Sequence, residues 1–312
     1  MANEYNLPKV IVLILSYNGK NLLVDSISSY LASDYMNFEI VVIDNGSTDG
    51  SKEFVETNYP QVHVLRTEVN LKYSGGFNFG MNFAFNRQNA DYVLISNNDV
   101  KADKAAISEL IKVAETLAVI GFVTGKVYFN DQPDTLQTVG YYEDPLKWIG
   151  GHIGNNEKDL GQYDQDCERF MSDDIFMLVK KSVYEKTGGY NTLFEFQGEQ
   201  ADWQARAKKT GFKIFYAHKA KIWHKDSMTI GKNSAFKHYY DVRNYLILRF
   251  IHKDEDYLRR YFKWYLKSVV FLPLLKSLVR MRLAFAWSIV RGFSSAFVWL
   301  IRNKYLKLKY LF

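Results

Sequence analysis

Cysteine is nearly absent from this chain. A single Cys167 in 312 residues excludes an intramolecular disulfide framework and any multi-cysteine metal site, and it fits a reducing compartment. Repeats and low-complexity linkers are also missing. The start, MANEYNLPKV, has no basic segment followed by a long apolar one, so no secretory signal is expected. Neither a G-x-G-x-x-G fingerprint nor a G-K-[ST] phosphate loop occurs, which removes the commonest dinucleotide and nucleoside-triphosphate cradles.

Acidic residues are missing from one end only. Residues 257–312 hold 12 Lys and Arg and no Asp or Glu, leaving 28 basic and 34 acidic residues in the preceding 256. An acidic body thus carries a basic, aromatic-rich tail, and that asymmetry points to a polyanionic partner. The tail is also apolar, so an anionic membrane surface suits it better than nucleic acid, and no nucleic-acid partner is expected. Lys267, Lys276, Arg280, Arg282, Arg291 and Arg302 break the tail before any apolar stretch reaches about 18 residues, so the expectation is of helices lying in an interface rather than spanning. The other reading is a helical appendix packed on the body or on a second subunit, so a homo-oligomer stays open.

What is present is 47% hydrophobic residues, enough for a substantial core. From residue 9 to 125 apolar runs alternate with amphipathic ones. KVIVLIL (9–15), FEIVVID (38–44), VHVLRT (62–67), DYVLIS (91–96) and VIGFVTG (119–125) read as strands. Segments 21–32, 51–58, 76–87 and 104–117 read as helices. The pattern predicts an α/β fold with a mostly parallel sheet covered by helices on both faces, and ligands at the carboxyl ends of the strands. Further on, FMLVKKSVYEKTGGYN (176–191) reads as a strand, a short helix and a turn. Residues 199–212 read as a helix, 213–224 as a strand, and the tail from about 240 as helices.

The strand ends carry the chemistry. SYNG (16–19) follows the first strand, and DNGSTDGS (44–51) ends the second. NLKYSGGFNFG (70–80) follows the third, and NND (97–99) the fourth. Glycines in the third loop would bring backbone amides close to a phosphate at a helix start. Asp99 with Asn97 suggests a hard-cation site, since oxygen ligands suit Mg²⁺ or Mn²⁺ bridging a carboxylate and a diphosphate.

Taken in order, SYNG, VVIDNGSTDGS, N-x-x-x-x-GG-x-N-x-G, NND and the downstream E-x-x-DW-x-x-R resemble the family 2 inverting glycosyltransferases of the GT-A fold, nearest the rhamnosyltransferase-like branch, over roughly residues 8–245. The resemblance implies a GT-A-like, Rossmann-related domain over 1–240 and a helical extension over 241–312. It implies transfer of a sugar from a dTDP- or UDP-linked donor to a cell-surface polysaccharide or lipid-linked glycan, at the cytoplasmic face of a membrane, with Mn²⁺ or Mg²⁺. It places Ser16, Tyr17, Asn18, Asp44, Asn45, Gly76, Asn78, Asn97 and Asn98 around the donor, and Asp99 and His224 on the metal. Asp173, Asp174, Trp203 and Arg206 fall in the acceptor region.

The sequence departs from the pattern at the base. Relatives have E-D-x-D or E-E-x-D with the second carboxylate as base, whereas here Gln200 fills that place, and an amide takes no proton at useful pH. Glu199 is then expected as the base with Asp202 orienting the acceptor, and Asp173 and Asp174 come next. The alternative is a catalytically weak nucleotide-sugar-binding or scaffold protein.

Overall fold

The computed structural model describes residues 7–225 and 234–303. Three parallel strands lead the chain: β1 (Val10–Ser16), β2 (Phe38–Asp44) and β3 (His63–Arg66). They are separated by α1 (Lys20–Leu31), α2 (Ser51–Asn58) and α3 (Lys72–Asn82), the last continuing as a π-helical segment, Phe83–Arg87. β4 (Tyr92–Asn97), the short β5 (Val100–Ala102), α4 (Ala106–Ala114) and β6 (Ile120–Phe129) follow. Strands β1, β2 and β4 are almost continuously apolar because helices cover both faces of the sheet. Leu23, Ile27, Val55 and Leu110 pack on one side, and Phe77, Met81, Val183 and Trp203 on the other.

Register fixes the functional rim. β1 runs parallel to both β2 and β4, with Ser16 beside Asp44 and Leu15 beside Asn97. β2 runs parallel to β3, with Asp44 beside Arg66. The polar ends of four strands therefore share one edge, as the alternation predicts.

The fifth predicted strand is not the neighbour of the fourth. β11 (Phe176–Lys180) lies between them, antiparallel to both β4 and β6. β12 (Lys213–His224) then pairs in parallel with β6. The sheet is mixed, and β12 carries His224 back to the rim, where it pairs with Val100 of β5. The flank is completed by β7 (Gln132–Thr138), the hairpin β8 (Tyr141–Asp144) and β9 (Trp148–His152), and β10 (Cys167–Arg169).

The glycine-rich third loop also differs from expectation. α3 starts at Lys72, so Gly75 and Gly76 lie within its first turns instead of ahead of them. A Cβ at Gly76 would strike Leu15, and one at Gly80 would strike Ile43. These glycines let the helix approach the sheet closely.

After β11 come α5 (Lys181–Thr187), α6 (Glu199–Lys209), α7 (Ala235–His252), α8 (Glu255–Tyr265), a π-helical segment (Leu266–Phe271), α9 (Leu272–Val279) and α10 (Leu283–Arg302). α7 runs through residue 240, where the sequence suggested a boundary. Its Leu246 and Phe250, with Tyr261 and Tyr265 of α8, form one apolar cluster with Ala201 and Ala205 of α6 and with Trp148 and Phe194. The first tail helices are thus packed on the body. α9 buries none of its residues. α10 corrects one expectation: over 20 residues, with mean hydropathy 1.4, it is long and apolar enough to cross a membrane by length and composition. Arg291 alone interrupts it before its final residue, too sparse a charge to break the run. Lys304, Lys307 and Lys309 of the basic tail lie outside the described residues.

Candidate active site

The first two strand-end loops are built on each other. Asn18 takes a left-handed conformation (φ +50°), tolerable for Asn, and its Oδ1 accepts from the backbone of Thr48 at 2.8 Å. Ser47 Oγ accepts from Asn18 N at 3.0 Å. Gly46 has φ +77°, and a Cβ there would lie 2.8 Å from the backbone of Val69, so only glycine lets the second and third loops meet. Asp49 accepts from Ser51 N and Lys20 N, both at 3.0 Å, which ties the starts of α1 and α2 together.

Within this frame Asp44 is fully buried. Its Oδ1 accepts from Ser47 N and its Oδ2 from Arg66 Nη1, each at 2.9 Å. Asn45 joins the second loop to the third: its amide donates to Asn70 Oδ1 and Lys72 O, and its oxygen accepts from Leu71 N. Asn78 bonds both ways with the backbone of Tyr190. Gly76 and Asn78 thus serve packing between α3 and its neighbours. Tyr17 is 44% exposed at the rim, and Asn98 Nδ2 donates to Ser16 Oγ at 3.2 Å. Ser16, Tyr17, Asn97 and Asn98 are brought together beside Asp44.

Asp99 and His224 meet across the sheet, 3.1 Å apart at Oδ1 and Nε2, and both are buried. The approach is not a hydrogen bond, for Asp99 Oδ1 is a buried oxygen without a hydrogen-bonding partner. His224 Nδ1 lies 2.9 Å from Gln137 Oε1. An amide oxygen only accepts, so Nδ1 donates to it. Asn97 Nδ2 points to the same Nε2 at 3.4 Å. A carboxylate oxygen and an imidazole nitrogen this close form an ion pair when the ring is protonated and can both face one cation when it is not. Two adjacent ligands about 2.1 Å from an octahedral ion lie about 3.0 Å apart, which matches the observed separation. Among the described residues no cluster of three or more acidic, His or Cys side chains could hold a metal. A two-ligand site suits an ion whose remaining positions go to water and a diphosphate.

The third group surrounds the start of α6. Gly198 has φ +95°, and Asn244 Nδ2 donates to the carbonyls of Phe196 and Gln197 at 2.8 Å each. Helix α7 thereby sets where α6 begins. Glu199 is buried with no partner for Oε2. Burial pushes its carboxyl well above the ordinary range, and repulsion from Asp174 adds to this. Burial likewise raises Asp174 to about 7; the Tyr190 hydroxyl opposes that shift and the neighbouring Asp173 charge reinforces it. Asp241 of α7 is raised by burial to about 6.

Asp173 goes the other way. Burial would raise it, but the His152 charge and hydrogen bonds from His152 and Tyr141 hold it below the usual range. Its Oδ2 has no partner. Asp202 is also lowered: burial is outweighed by the hydrogen bond from His252 and by the Arg206 charge. Its two oxygens lie 2.8 Å from His252 Nε2 and 2.8 Å from Arg206 Nε. Arg206 also donates to the carbonyls of Thr187 and Gly189. Trp203 is fully buried and donates to Thr187 Oγ1. Asp202, Trp203 and Arg206 therefore brace α6 against the 187–189 turn, while Glu199 leaves Oε2 without a partner and Asp174 accepts from the Tyr190 hydroxyl.

Sequence reasoning missed the supporting partners Arg66, Gln137, Asn244 and His252. Each lies far in sequence from the residue it serves, and only Arg66, at the end of a predicted strand, carried a local signal. The structure also sets His152 against Asp173.

A mixed sheet with one polar rim, an acid facing an imidazole, and a carboxyl cluster at a helix start make up the candidate site. The glycosyl transferase family 2 model matches residues 11–188, and the chain belongs to that family. It is 26% identical over 285 residues to the GalNAc(5)-diNAcBac-PP-undecaprenol beta-1,3-glucosyltransferase of Campylobacter jejuni, covering 87% of this chain and 85% of that protein. It is 23% identical to the N-acetylglucosaminyl-diphospho-decaprenol L-rhamnosyltransferase of Mycobacterium tuberculosis, over 63% of this chain and 69% of the other. Two solved structures share the fold. One is GalNAc-T7 with UDP, GalNAc and Mn²⁺, with TM-score 0.61 and 13% identity over 85% of this chain and 57% of that one. The other is the Pyrobaculum calidifontis mannosyltransferase PcManGT with GDP-Man and Mn²⁺, with TM-score 0.53 and 14% identity over 98% and 78%.

Proposed function

We propose that this glycosyltransferase moves a hexosyl or deoxyhexosyl unit from a dTDP- or UDP-linked donor to a lipid-linked or growing surface glycan, inverting the anomeric centre. The observation that carries this reading is the buried Asp99 Oδ1 lying 3.1 Å from His224 Nε2 beside the donor rim. Those two residues would hold Mn²⁺ or Mg²⁺. When bound, such an ion stabilises the negative charge that builds on a departing diphosphate.

The chain's own residues do the rest. Ser16, Tyr17 and Asn98 line the rim where the nucleoside rests. Asp44 and Arg66 hold the second loop in place for it. Burial, with repulsion from a neighbouring aspartate, raises both Glu199 and Asp174 above the ordinary carboxyl range. In its ionised form Glu199 takes the proton from the acceptor hydroxyl as that oxygen attacks the sugar. Asp202, fixed by Arg206 and His252, holds α6 so that Glu199 stays at its post.

The tail supports a lipid-linked acceptor. Leu272, Leu275, Leu278, Val279, Met281, Leu283 and Trp287 are exposed large hydrophobic residues on and between α9 and α10. Lys276, Arg280, Arg282, Arg291 and Arg302, also exposed, lie among them. Such a surface suits contact with an anionic bilayer, each basic residue contributing on the order of 1 kcal/mol. The reading places the protein at the inner face of the cell membrane, where nucleotide sugars are made. The named relatives act on undecaprenol- and decaprenol-linked substrates, in keeping with it.

The test is a panel of UDP-, dTDP- and GDP-sugars with Mn²⁺ or Mg²⁺, monitored for released nucleoside diphosphate. Slow hydrolysis of one donor without acceptor is expected. Binding of a nucleotide sugar with no turnover toward any acceptor would favour a scaffold protein instead.

A further inference from the structure

A groove of about 470 Å³ runs along α10 beside α7. Trp287, Arg291, Ser295, Val298 and Arg302 line it at helical spacing, so one face of α10 forms its length, and Arg243 of α7 closes its side. The charge along it is of one sign, with three arginines and no Asp or Glu in the lining. Among the described residues none of the three forms an ion pair with a carboxylate. Arg291 stands at the middle of a helix otherwise apolar enough to enter a bilayer, where an unpaired guanidinium is costly unless an anion meets it.

The arginines are held in position without being neutralised. Arg243 donates from Nη1 to Leu193 O at 3.1 Å and to Asn244 Oδ1, and from Nε to Ser295 Oγ at 3.3 Å. Its Nη2 has no hydrogen-bond partner among the described residues. The Arg291 guanidinium sits 5.2 Å from the ring centre of Tyr239, whose hydroxyl donates to the same Ser295 Oγ at 3.2 Å. Two guanidiniums thus gather around one serine, and Arg302 continues the row about 10 Å further along the axis. Fixed guanidiniums with spare donors suit phosphate oxygens. The rest of the lining is apolar and open, with Trp287 65% and Val298 46% exposed. Leu283, one turn before Trp287 and also exposed, carries the apolar strip out of the groove. A soluble anion would leave that strip uncovered, and an apolar peptide would leave the arginines unmet. A phosphate head joined to hydrocarbon chains meets both.

We propose that the groove between α7 and α10 binds the phosphate head of an anionic glycerophospholipid, with Arg243 and Arg291 on the phosphate and the apolar part of the lipid against Trp287 and Leu283. The inference rests on the membrane part of the proposed function and deepens it, because diffuse attraction by a basic tail becomes recognition at one place. It does not depend on which sugar is transferred. Arg243 holds Leu193 O directly, and Asn244 beside it holds the carbonyls of Phe196 and Gln197. The head group therefore seats against the residues that set where α6 begins.

The experiment is co-sedimentation of the full chain with phosphatidylcholine vesicles, with and without phosphatidylglycerol. The wild type should prefer the vesicles that contain phosphatidylglycerol. Arg291→Lys combined with Arg302→Lys keeps every charge but loses the forked donors, and it should weaken that binding about tenfold or more. Arg280→Lys combined with Arg282→Lys makes the same change outside the groove and should leave binding unchanged. All four positions are exposed, and melting curves confirm the fold. Unchanged binding in the groove pair, or equal losses in both pairs, overturns the site and leaves diffuse attraction alone. Inorganic phosphate, at matched ionic strength and at the concentration of lipid phosphate, should not release the protein; release means that the groove takes a soluble anion and overturns the lipid. A wild type that ignores phosphatidylglycerol vesicles overturns the membrane docking itself, while release of nucleoside diphosphate from a donor reads the transfer separately.

Discussion

At the rim of β1, β2 and β4 most polar side chains already have partners inside the protein. Asp44 is held by Ser47 and Arg66, Asn45 by the third loop, and Asn18 by Thr48. At the start of α6 the opposite holds. Glu199, Gln200, Ser172 and Asp173 each bury an oxygen without a partner. The rim is pre-shaped, so a ligand there meets loops that do not have to move. The α6 floor is strained electrostatically, because desolvated carboxyls and orphaned polar atoms cost stability until a substrate meets them. The contrast fits the proposal of donor positioning in the first region and acceptor chemistry in the second.

The largest effect expected on the α6 side is from Glu199→Gln, which should lower turnover by about 10²-fold or more, the scale of a general base, with nucleotide affinity nearly unchanged. Full turnover in Glu199→Gln, with loss in Asp202→Asn, would transfer the role to Asp202. On the rim side, Gln137→Leu removes the acceptor that fixes the His224 tautomer. Loss of such a supporting contact costs roughly 10–100-fold in metal affinity, so Mn²⁺ titrations of nucleotide binding should shift by that much.

A smaller effect distinguishes the regions by pH. Asp174 at about 7 and Asp241 at about 6 hold protons in the folded state that the unfolded chain releases near pH ~3.9. Their contribution is full below about pH 4 and is lost as pH rises through 6 to 7. Asp173 and Asp202, both lowered, act in the reverse sense, and their contribution is lost as pH falls below about 4. Asp174→Asn should therefore raise the melting temperature by ~5 °C at pH 8 and change it little at pH 5. It should also move the acid limb of the turnover profile to lower pH, since Glu199 loses a repelling neighbour. The smallest effect concerns the tail: binding to anionic vesicles should fall severalfold between about 0.05 and 0.5 M salt, through screening.

The two regions also differ in how far the sequence revealed them. The apolar runs of β1, β2 and β4 are local, and so are the turn residues Asn45-Gly46. The rim could therefore be read from spacing alone. The direction of β11 could not, because four apolar residues pair equally well either way and the neighbour decides. The glycines of α3 read as a phosphate cradle because their packing partners, Leu15 and Ile43, belong to other elements. Around α6 the decisive contacts span long separations: Asp202 to His252, Phe196 and Gln197 to Asn244, and Ser172 to Gln204. A pattern of residue types marks Glu199 and Gln200 as unusual. It does not show that tail helices close over them.

The central claim is that the rim holds the donor through Asp99 and His224. Calorimetric titration of UDP and dTDP into the protein, with and without Mn²⁺, for the wild type and Asp99→Ala, tests it most directly. The account predicts cation-dependent binding of at least one of the two by the wild type, and its loss by about 10²-fold or more in a variant that melts normally. Equal binding by Asp99→Ala in Mn²⁺ would contradict it.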